Sequence, residues 1–343
     1  MYSIITLIIS GISIVYNAGQ VEFYCFVIIN IKLRKEFRMV RYIRSNQTNE
    51  LNESVEDSNV KDVWLKNFDG TYESVENICG ILGIPRGDIV EAYIPDGITT
   101  IDYKTFYKCK SLKNITIPDS VTSIRKWAFS YCSSLTSLKV PDSVTSIGRS
   151  AFWYCSSLES IVIPDGVKSI GNTAFLECTS LASITIPDSV KSIGEAAFDN
   201  CKSLTSVNIP DSVTSIDEFA FNFCTSLKTV TIGNSVTSIS DSAFYECKSL
   251  ENITIPSSVE SIGDNAFSGC TSLTSIMISD GVKSIKEEAF YGCTSLTSLE
   301  IPSSVTSIGE DAFEDCPLLT IETKNPYVID YCEEYGINYK DKT

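Results

Sequence analysis

The chain has 343 residues, of which 43% are hydrophobic and 20% are charged. This is enough apolar material for a substantial core, and the composition is neither that of a disordered chain nor that of collagen. The complete absence of histidine excludes Ser-His-Asp and Cys-His catalysis, together with histidine metal sites. The net charge is −16, and an acidic body disfavours nucleic acid as a partner because phosphate binding needs a basic face.

The first 44 residues form an apolar and then basic leader. Residues 3–16 and 23–31 are apolar, and residues 32–44 are basic. A transmembrane helix needs about 20 apolar residues, and the two runs reach that length only together. The leader is therefore a candidate membrane anchor or signal. The alternatives are a gene-start artefact, with initiation at Met39, and a soluble apolar leader.

Two short regions separate the leader from the rest of the chain. Residues 45–60 are polar and acidic, which predicts a linker. Residues 61–88 contain Trp64, Phe68 and Tyr72, and we expect them to form an N-terminal cap on the region that follows.

From residue 89 to residue 320 the sequence repeats every 23 residues. The phenylalanines from Phe106 to Phe313 keep this step without an insertion, and ten of the thirteen cysteines follow it as well. These ladder cysteines are Cys109, Cys132, Cys155, Cys178, Cys201, Cys224, Cys247, Cys270, Cys293 and Cys316. A fixed period of this length is the signature of a repeat solenoid.

The unit from Leu181 to Ser203 shows how one repeat is built. Leu181, Ile184 and Ile186 follow the pattern of a half-buried strand, which Pro187 ends because proline cannot donate to a sheet. A second extended stretch then leads to a corner. Beyond the corner, apolar residues have the i, i+1, i+4 spacing of a helical turn; they are Ala197, Phe198 and Cys201.

One such unit cannot bury its own apolar side chains, but units stacked about 4.8 Å apart share a continuous core. The predicted fold is therefore a repeat solenoid of the α/β class, mainly β, with about ten rungs over residues 89–320 and a cap at both ends. The C-terminal cap is expected at 321–343, with a short helix over residues 325–335.

The repeated pattern C-x-x-L-x-x-I-x-I-P-x-x-V-x-x-I-G-x-x-A-F resembles the BspA-like, or treponemal-type, leucine-rich repeat. Residues 317–337 resemble the closing cap of this family. Members are commonly surface or secreted proteins of bacteria and protists, implicated in adhesion. The resemblance implies a non-enzymatic module without a cofactor, at the cell surface or anchored to a membrane, that binds a protein or glycan partner. An intracellular, cytoplasmic scaffold for protein–protein interaction is the alternative.

Charged and aromatic residues occur together on two neighbouring repeats, after the corner. Tryptophan and arginine are the residue types that dominate binding energy at protein interfaces. We therefore predict a partner-binding site that consists of Arg125, Lys126, Trp127, Arg149, Trp153 and Tyr154.

The ladder cysteines are predicted to be structural. Equivalent side chains on stacked rungs point the same way, so their Cβ atoms lie about 4.8 Å apart, whereas a disulfide prefers about 3.8 Å. The chain has no C-x-x-C motif, which argues against zinc. An aspartate follows the strand-ending proline on six successive rungs, where turn chemistry explains it better than calcium; these are Asp96, Asp119, Asp142, Asp165, Asp188 and Asp211.

Overall fold

The computed structural model describes residues 5–9, 12–17, 20–27, 86–94 and 96–342. The described part of the leader forms three antiparallel strands, β1 (Ile5–Ile9), β2 (Ile12–Asn17) and β3 (Gln20–Val27). Among the described residues, no helix is long and apolar enough to span a bilayer. The linker predicted at 45–60 and most of the cap predicted at 61–88 lie outside the described residues, apart from a 3-10 turn at Arg86–Asp88.

Two series of short strands alternate along the repeats. The first comprises β4 (Glu91–Tyr93), β6 (Asn114–Thr116), β8 (Ser137–Lys139), β10 (Ser160–Val162), β12 (Ser183–Thr185), β14 (Ser206–Ile209), β16 (Thr229–Ile232), β18 (Asn252–Ile255), β20 (Ser275–Ile278), β22 (Ser298–Glu300) and β24 (Thr320–Thr323). The second comprises β5 (Thr100–Ile101), β7 (Ser123–Ile124), β9 (Ser146–Ile147), β11 (Ser169–Ile170), β13 (Ser192–Ile193), β15 (Ser215–Ile216), β17 (Ser238–Ile239), β19 (Ser261–Ile262), β21 (Ser284–Ile285) and β23 (Ser307–Ile308). Helix α1 (Pro326–Tyr335) and strand β25 (Asn338–Asp341) follow.

Equivalent strands of neighbouring rungs pair in parallel, and the first series is divided into three sheets, β4 with β6, β8 to β12, and β14 to β24, which β25 extends. In β10 and β12, for example, Ser160 lies opposite Ser183 and Ile161 opposite Ile184. The second series forms one ten-stranded sheet from β5 to β23. Because the units up to β22 have the same length, their strands keep one register and each side chain keeps its face. The last step is one residue shorter, with Ser298 of β22 opposite Thr320 of β24. The predicted repeat solenoid is confirmed.

The apolar side chains of every rung enter one continuous core. The phenylalanine rings from Phe106 to Phe313 form a stack, with successive centroids 5.2–5.5 Å apart and planes within 1–9° of parallel. Burying one such ring contributes about 1.5–3 kcal/mol, and each ring also gains from its two neighbours. The apolar residues of one unit that are buried in this core are Leu181, Ile184, Ile186, Val190, Ile193, Ala197, Phe198 and Cys201.

The corner after the second strand is not helical, so the expectation based on its apolar spacing is wrong. Phe198 and Asn200 donate their backbone N–H groups to Ala220 and Asn222 of the next rung, at 2.8 Å in both cases. The N–H groups of the residues that alternate with them bond within their own turn. A helix would need all of these donors for itself, but half of them hold the rungs together.

The C-terminal helix predicted over residues 325–335 is confirmed as α1. Asn325 caps it, since its side chain accepts the N–H of Tyr327 at 3.1 Å. The Tyr331 ring packs edge-on against Phe313, 6.3 Å between centroids, and so covers the end of the phenylalanine stack. The Tyr327 hydroxyl accepts the backbone N–H of Ile308 at 2.9 Å, which satisfies a donor of the last rung.

We expect Phe198→Ala to lower the free energy of unfolding by about 3–5 kcal/mol, because it leaves a cavity between the Phe175 and Phe221 rings. Deleting the whole unit 181–203 is expected to cost less, since the flanking rungs can stack in the same register. Met277→Ala is a suitable control because this side chain is 63% exposed. Chemical denaturation measures all three, and a deletion more damaging than Phe198→Ala would contradict the stacking.

Candidate functional site

Two corner positions of every rung have a left-handed backbone. They begin at Lys104 (φ 58°) and Lys108 (φ 63°) and recur every 23 residues, with glycine only at Gly269 and Gly292. This conformation costs an ordinary side chain roughly 1–2 kcal/mol and is unusual for a bulky one. Five aromatic residues nevertheless adopt it with φ of 52–62°; they are Trp127, Tyr131, Tyr154, Phe219 and Phe223.

Three of these five belong to one cluster on the first three rungs. Tyr131 lies at its centre, with its ring centroid 5.1 Å from those of Trp153 and Tyr154 and 5.9 Å from that of Tyr107. Trp127 lies 6.3 Å from Tyr107 on the other side. We call this cluster the N-terminal aromatic patch, which consists of Tyr103, Lys104, Tyr107, Lys108, Lys126, Trp127, Tyr131, Trp153 and Tyr154.

The lysines of the patch lie against its rings. The Lys104 ammonium is 4.7 Å from the Trp127 ring centroid and 5.0 Å from that of Tyr107. Lys126 is 4.5 Å from the same Trp127 ring, and Lys108 is 5.1 Å from Tyr107. These are cation–π distances. Among the described residues, none of the three lysines has a carboxylate oxygen within 4.0 Å, so their positive charge is not neutralised.

Four of the six residues predicted from the sequence lie in this patch, while the two arginines do not. The Arg125 guanidinium forms an exposed ion pair with Asp102 at 3.2 Å. Arg149 is exposed on the third rung, and the described residues offer its side chain no ion pair. Its backbone carbonyl accepts the N–H of Trp127, at 3.1 Å.

Sequence reasoning missed Tyr103, Lys104, Tyr107, Lys108 and Tyr131. The signal that finds them is the repeat itself, because Lys104 is one period before Trp127, and Tyr131 one period before Tyr154. Residues one period apart become neighbours when the rungs stack.

The patch occupies one end of a larger surface, which we call the corner face. The corner face consists of residues 103, 104, 107 and 108 of the first rung and of the residues at the four equivalent positions of every later rung, 23 residues apart. Basic residues occur on it only in the first three rungs. The later rungs carry Glu177, Glu195, Asp199, Glu218, Asp241, Glu246, Asp264, Glu287, Glu288, Glu310, Asp311, Glu314 and Asp315. The corner face is thus basic at one end and acidic over the rest of its length.

Asp199 is a perturbed carboxyl in the acidic part. Partial burial, and secondarily the charge of Glu177, raise the pKa of Asp199 to about 6. Its Oδ1 accepts N–H groups from the Asn200 and Asn222 side chains at 3.0 and 3.1 Å. Asn222 is only 8% exposed, and its Oδ1 has no hydrogen-bond partner among the described residues.

The ten ladder cysteines are free thiols, nine of them buried and Cys316 partly exposed. From Cys132 onwards each thiol donates to the carbonyl of a phenylalanine in the preceding rung, at 3.1–3.3 Å. Burial raises the pKa of the thiols from Cys132 to Cys270, to about 12 for Cys155. At the end of the ladder a hydrogen bond with the Cys293 thiol lowers the pKa of Cys316.

In the described part of the chain, no group of three or more acidic or cysteine residues is arranged to hold a metal ion. In the aspartate series after the prolines, Asp211 accepts the backbone N–H of Asn234 in the next rung at 2.7 Å. This bond joins two rungs at one of the six aspartates.

The family model of the BspA type leucine rich repeat region matches the chain in six copies, over residues 87–205 and 191–320. These matches extend over more than half of the chain. The chain belongs to the BspA-type leucine-rich-repeat family. The solenoid of this family is a non-enzymatic repeat fold suited to protein interaction.

Several solved structures are similar to this leucine-rich-repeat protein. One is a leucine-rich repeat protein from Bacteroides ovatus, 25% identical over 75% of this chain and 85% of that one, with a TM-score of 0.44. Another is a leucine rich cell surface protein from Faecalibacterium prausnitzii, 25% identical over 99% of both chains, with a TM-score of 0.43. The T. pallidum leucine-rich repeat protein is 24% identical over 75% of this chain and 87% of that one, with a TM-score of 0.38. No curated protein matches the chain.

We expect the ladder thiols to be reduced and, with one exception, unreactive in the native leucine-rich-repeat protein. Thiol titration should modify Cys316 first, because it is partly exposed and its pKa is lowered. Denaturation without reductant should release all thirteen thiols of the chain. Cys316→Ser should abolish the early reaction. Four or more disulfides found by mass spectrometry would refute this expectation.

Asp199→Asn should stabilise the protein at neutral pH. The raised pKa of Asp199 means that, between about pH 4 and pH 6, the folded state holds a proton that the unfolded chain releases. Stability from this group is therefore lost as the pH rises through that window. Asparagine stays neutral, so the melting temperature of the variant should exceed that of the wild type at pH 7, and the difference should shrink towards pH 4. Asp188→Asn, at an exposed turn, is the control; equal behaviour of both variants would contradict the assignment.

Proposed function

We propose that this protein is an adhesion module, associated with the cell surface through its leader, that binds a protein partner through the N-terminal aromatic patch. The observation that carries the proposal is the group of three lysines held over aromatic rings without carboxylate partners. Aromatic residues also dominate binding energy at protein interfaces, and a rigid solenoid orders them before the partner arrives.

The charges of the patch favour an acidic segment of the partner. Unneutralised ammonium groups attract carboxylates, and the rings beside them offer contacts to apolar side chains. The rest of the corner face is acidic and repels such a segment. An acidic partner is therefore directed to the first three rungs in one orientation.

An intracellular scaffold is the second candidate, and the free ladder thiols favour it, since cysteines stay reduced in the cytosol. It would use the same patch in another compartment. Labelling intact cells with an antibody against residues 89–320 distinguishes the two candidates, because only a surface protein is stained without permeabilisation.

The partner can be captured with a photo-crosslinking amino acid in place of Tyr154, which is 43% exposed at the rim of the patch. The decisive comparison is then between two variants of the full-length chain. One is the double change Trp127→Ala and Trp153→Ala. Alanine is compatible with the left-handed backbone of Trp127, because Ala196 has that backbone at the equivalent position three repeats later. The other deletes residues 204–295, which removes four complete units and keeps both the patch and the C-terminal cap.

We expect the double change to weaken binding at least about a hundredfold, as the loss of two aromatic anchors does at protein interfaces, with an unchanged circular dichroism spectrum. The deletion should leave the affinity within about threefold of the wild type. Equal losses in both variants would show that binding is distributed along the array and would reject the patch. Isothermal titration calorimetry against the captured partner gives both affinities.

A further inference from the structure

A second aromatic group lies in the acidic part of the corner face. Phe219 and Phe223 are 38% and 36% exposed, although both have a left-handed backbone. The Phe223 ring packs edge-on against Tyr245, 5.4 Å between centroids. Phe219 has small residues on both sides along the array, Ala196 and Ser242. The Phe219 ring is therefore larger than the side chains stacked directly before and after it, and it protrudes from the corner face.

Carboxylates occupy the corner-face position immediately before this ring, on three successive rungs; they are Glu195, Glu218 and Asp241. Asp241 is ion-paired with Lys286 at 3.1 Å, and Glu195 accepts from the Asn172 side chain at 3.2 Å, which leaves Glu218. Among the described residues the Glu218 carboxylate forms no hydrogen bond and no ion pair within 4.0 Å, although its charge interacts with that of Lys286. On the other side lie Asp199 and the buried amide of Asn222, whose Oδ1 is unpaired within the described chain. The site thus offers an exposed ring, the unpaired carboxylate of Glu218 and a buried acceptor without a partner, a combination suited to a cation.

We propose that this site binds the guanidinium group of an arginine, presented by a basic peptide segment of a partner protein. A guanidinium stacks on an aromatic face while its five N–H groups bond several acceptors around the ring. The alternative cation is a metal ion, but in the described residues no three carboxylates are arranged for one. In this proposal Glu218, the residue before Phe219 in the chain, accepts from the guanidinium edge, and the Phe219 ring lies beneath it.

The site is independent of the N-terminal aromatic patch. Phe219 is four repeats from Trp127 at the same corner position, or about 19 Å at one strand spacing per rung. The two surfaces also have opposite charge. Failure of one assignment therefore leaves the other standing.

Because Phe219 has a left-handed backbone, a glycine substitution there can show whether its ring binds a ligand or stabilises the fold. Glycine adopts a left-handed conformation without the penalty of a side chain, as Gly269 and Gly292 do in this array. Phe219→Gly should therefore keep or raise the melting temperature. If the ring were needed for packing, the same change would lower it.

The test is calorimetric titration of the full-length protein with a hexa-arginine peptide at about 0.15 M salt, which screens diffuse attraction. We expect Phe219→Gly to weaken binding about five- to tenfold, the effect of losing one cation–π contact. Asn265→Gly is the matched backbone control, because Asn265 has the same corner position and φ of 56°. It should leave the affinity unchanged.

A second pair of variants tests the charge. Glu218→Gln should weaken binding about three- to fivefold, whereas Glu310→Gln, at the same corner position four rungs away, should not. Equal losses in this pair would overturn the site in favour of diffuse attraction. An unchanged affinity or a lowered melting temperature in Phe219→Gly would overturn it as well. Hexalysine binding as tightly as hexa-arginine would overturn the guanidinium assignment.

Discussion

The hydrogen bonds that run between rungs are the constraint on which the rest of the structure depends. Just before the strands of the second series, backbone N–H groups donate to the preceding rung, as Thr122 does to Thr99 at 2.8 Å. In the corners they donate to the following rung, as Phe198 does to Ala220. Because donor and acceptor come from different units, one extra residue in any unit would misalign it with both neighbours. The invariant 23-residue length follows from this requirement.

The same requirement explains two features that appear costly in isolation. Left-handed residues in the corner orient every second backbone N–H group away from its own turn and towards the next rung. This explains why left-handed residues recur in every unit. The cysteines have a related role. The carbonyl of Phe106 accepts the N–H of Cys109 in its own rung and the thiol of Cys132 in the next. Cysteine is a small buried side chain that can also act as a weak donor at this position.

A backbone held in this way leaves the corner side chains free to differ from rung to rung. The core positions repeat almost without change, whereas the corner face carries lysines and aromatic rings at one end and carboxylates over the rest. The two exposed aromatic groups therefore sit at a set distance on a rigid surface, with opposite charge around them.

The sequence alone determined the period, the two strand series, the apolar core and the C-terminal helix. Each of these depends on residues close together in the chain, or on a spacing that repeats without interruption. The tertiary structure alone decided the conformation of the corner, since Phe198 and Cys201 have helical spacing but the acceptors of the corner lie in another rung. It also decided the membership of the N-terminal aromatic patch. Tyr131 joins Trp153 and Tyr154 only because stacking brings residues of different units within 5.1 Å, while Arg125 turns to Asp102.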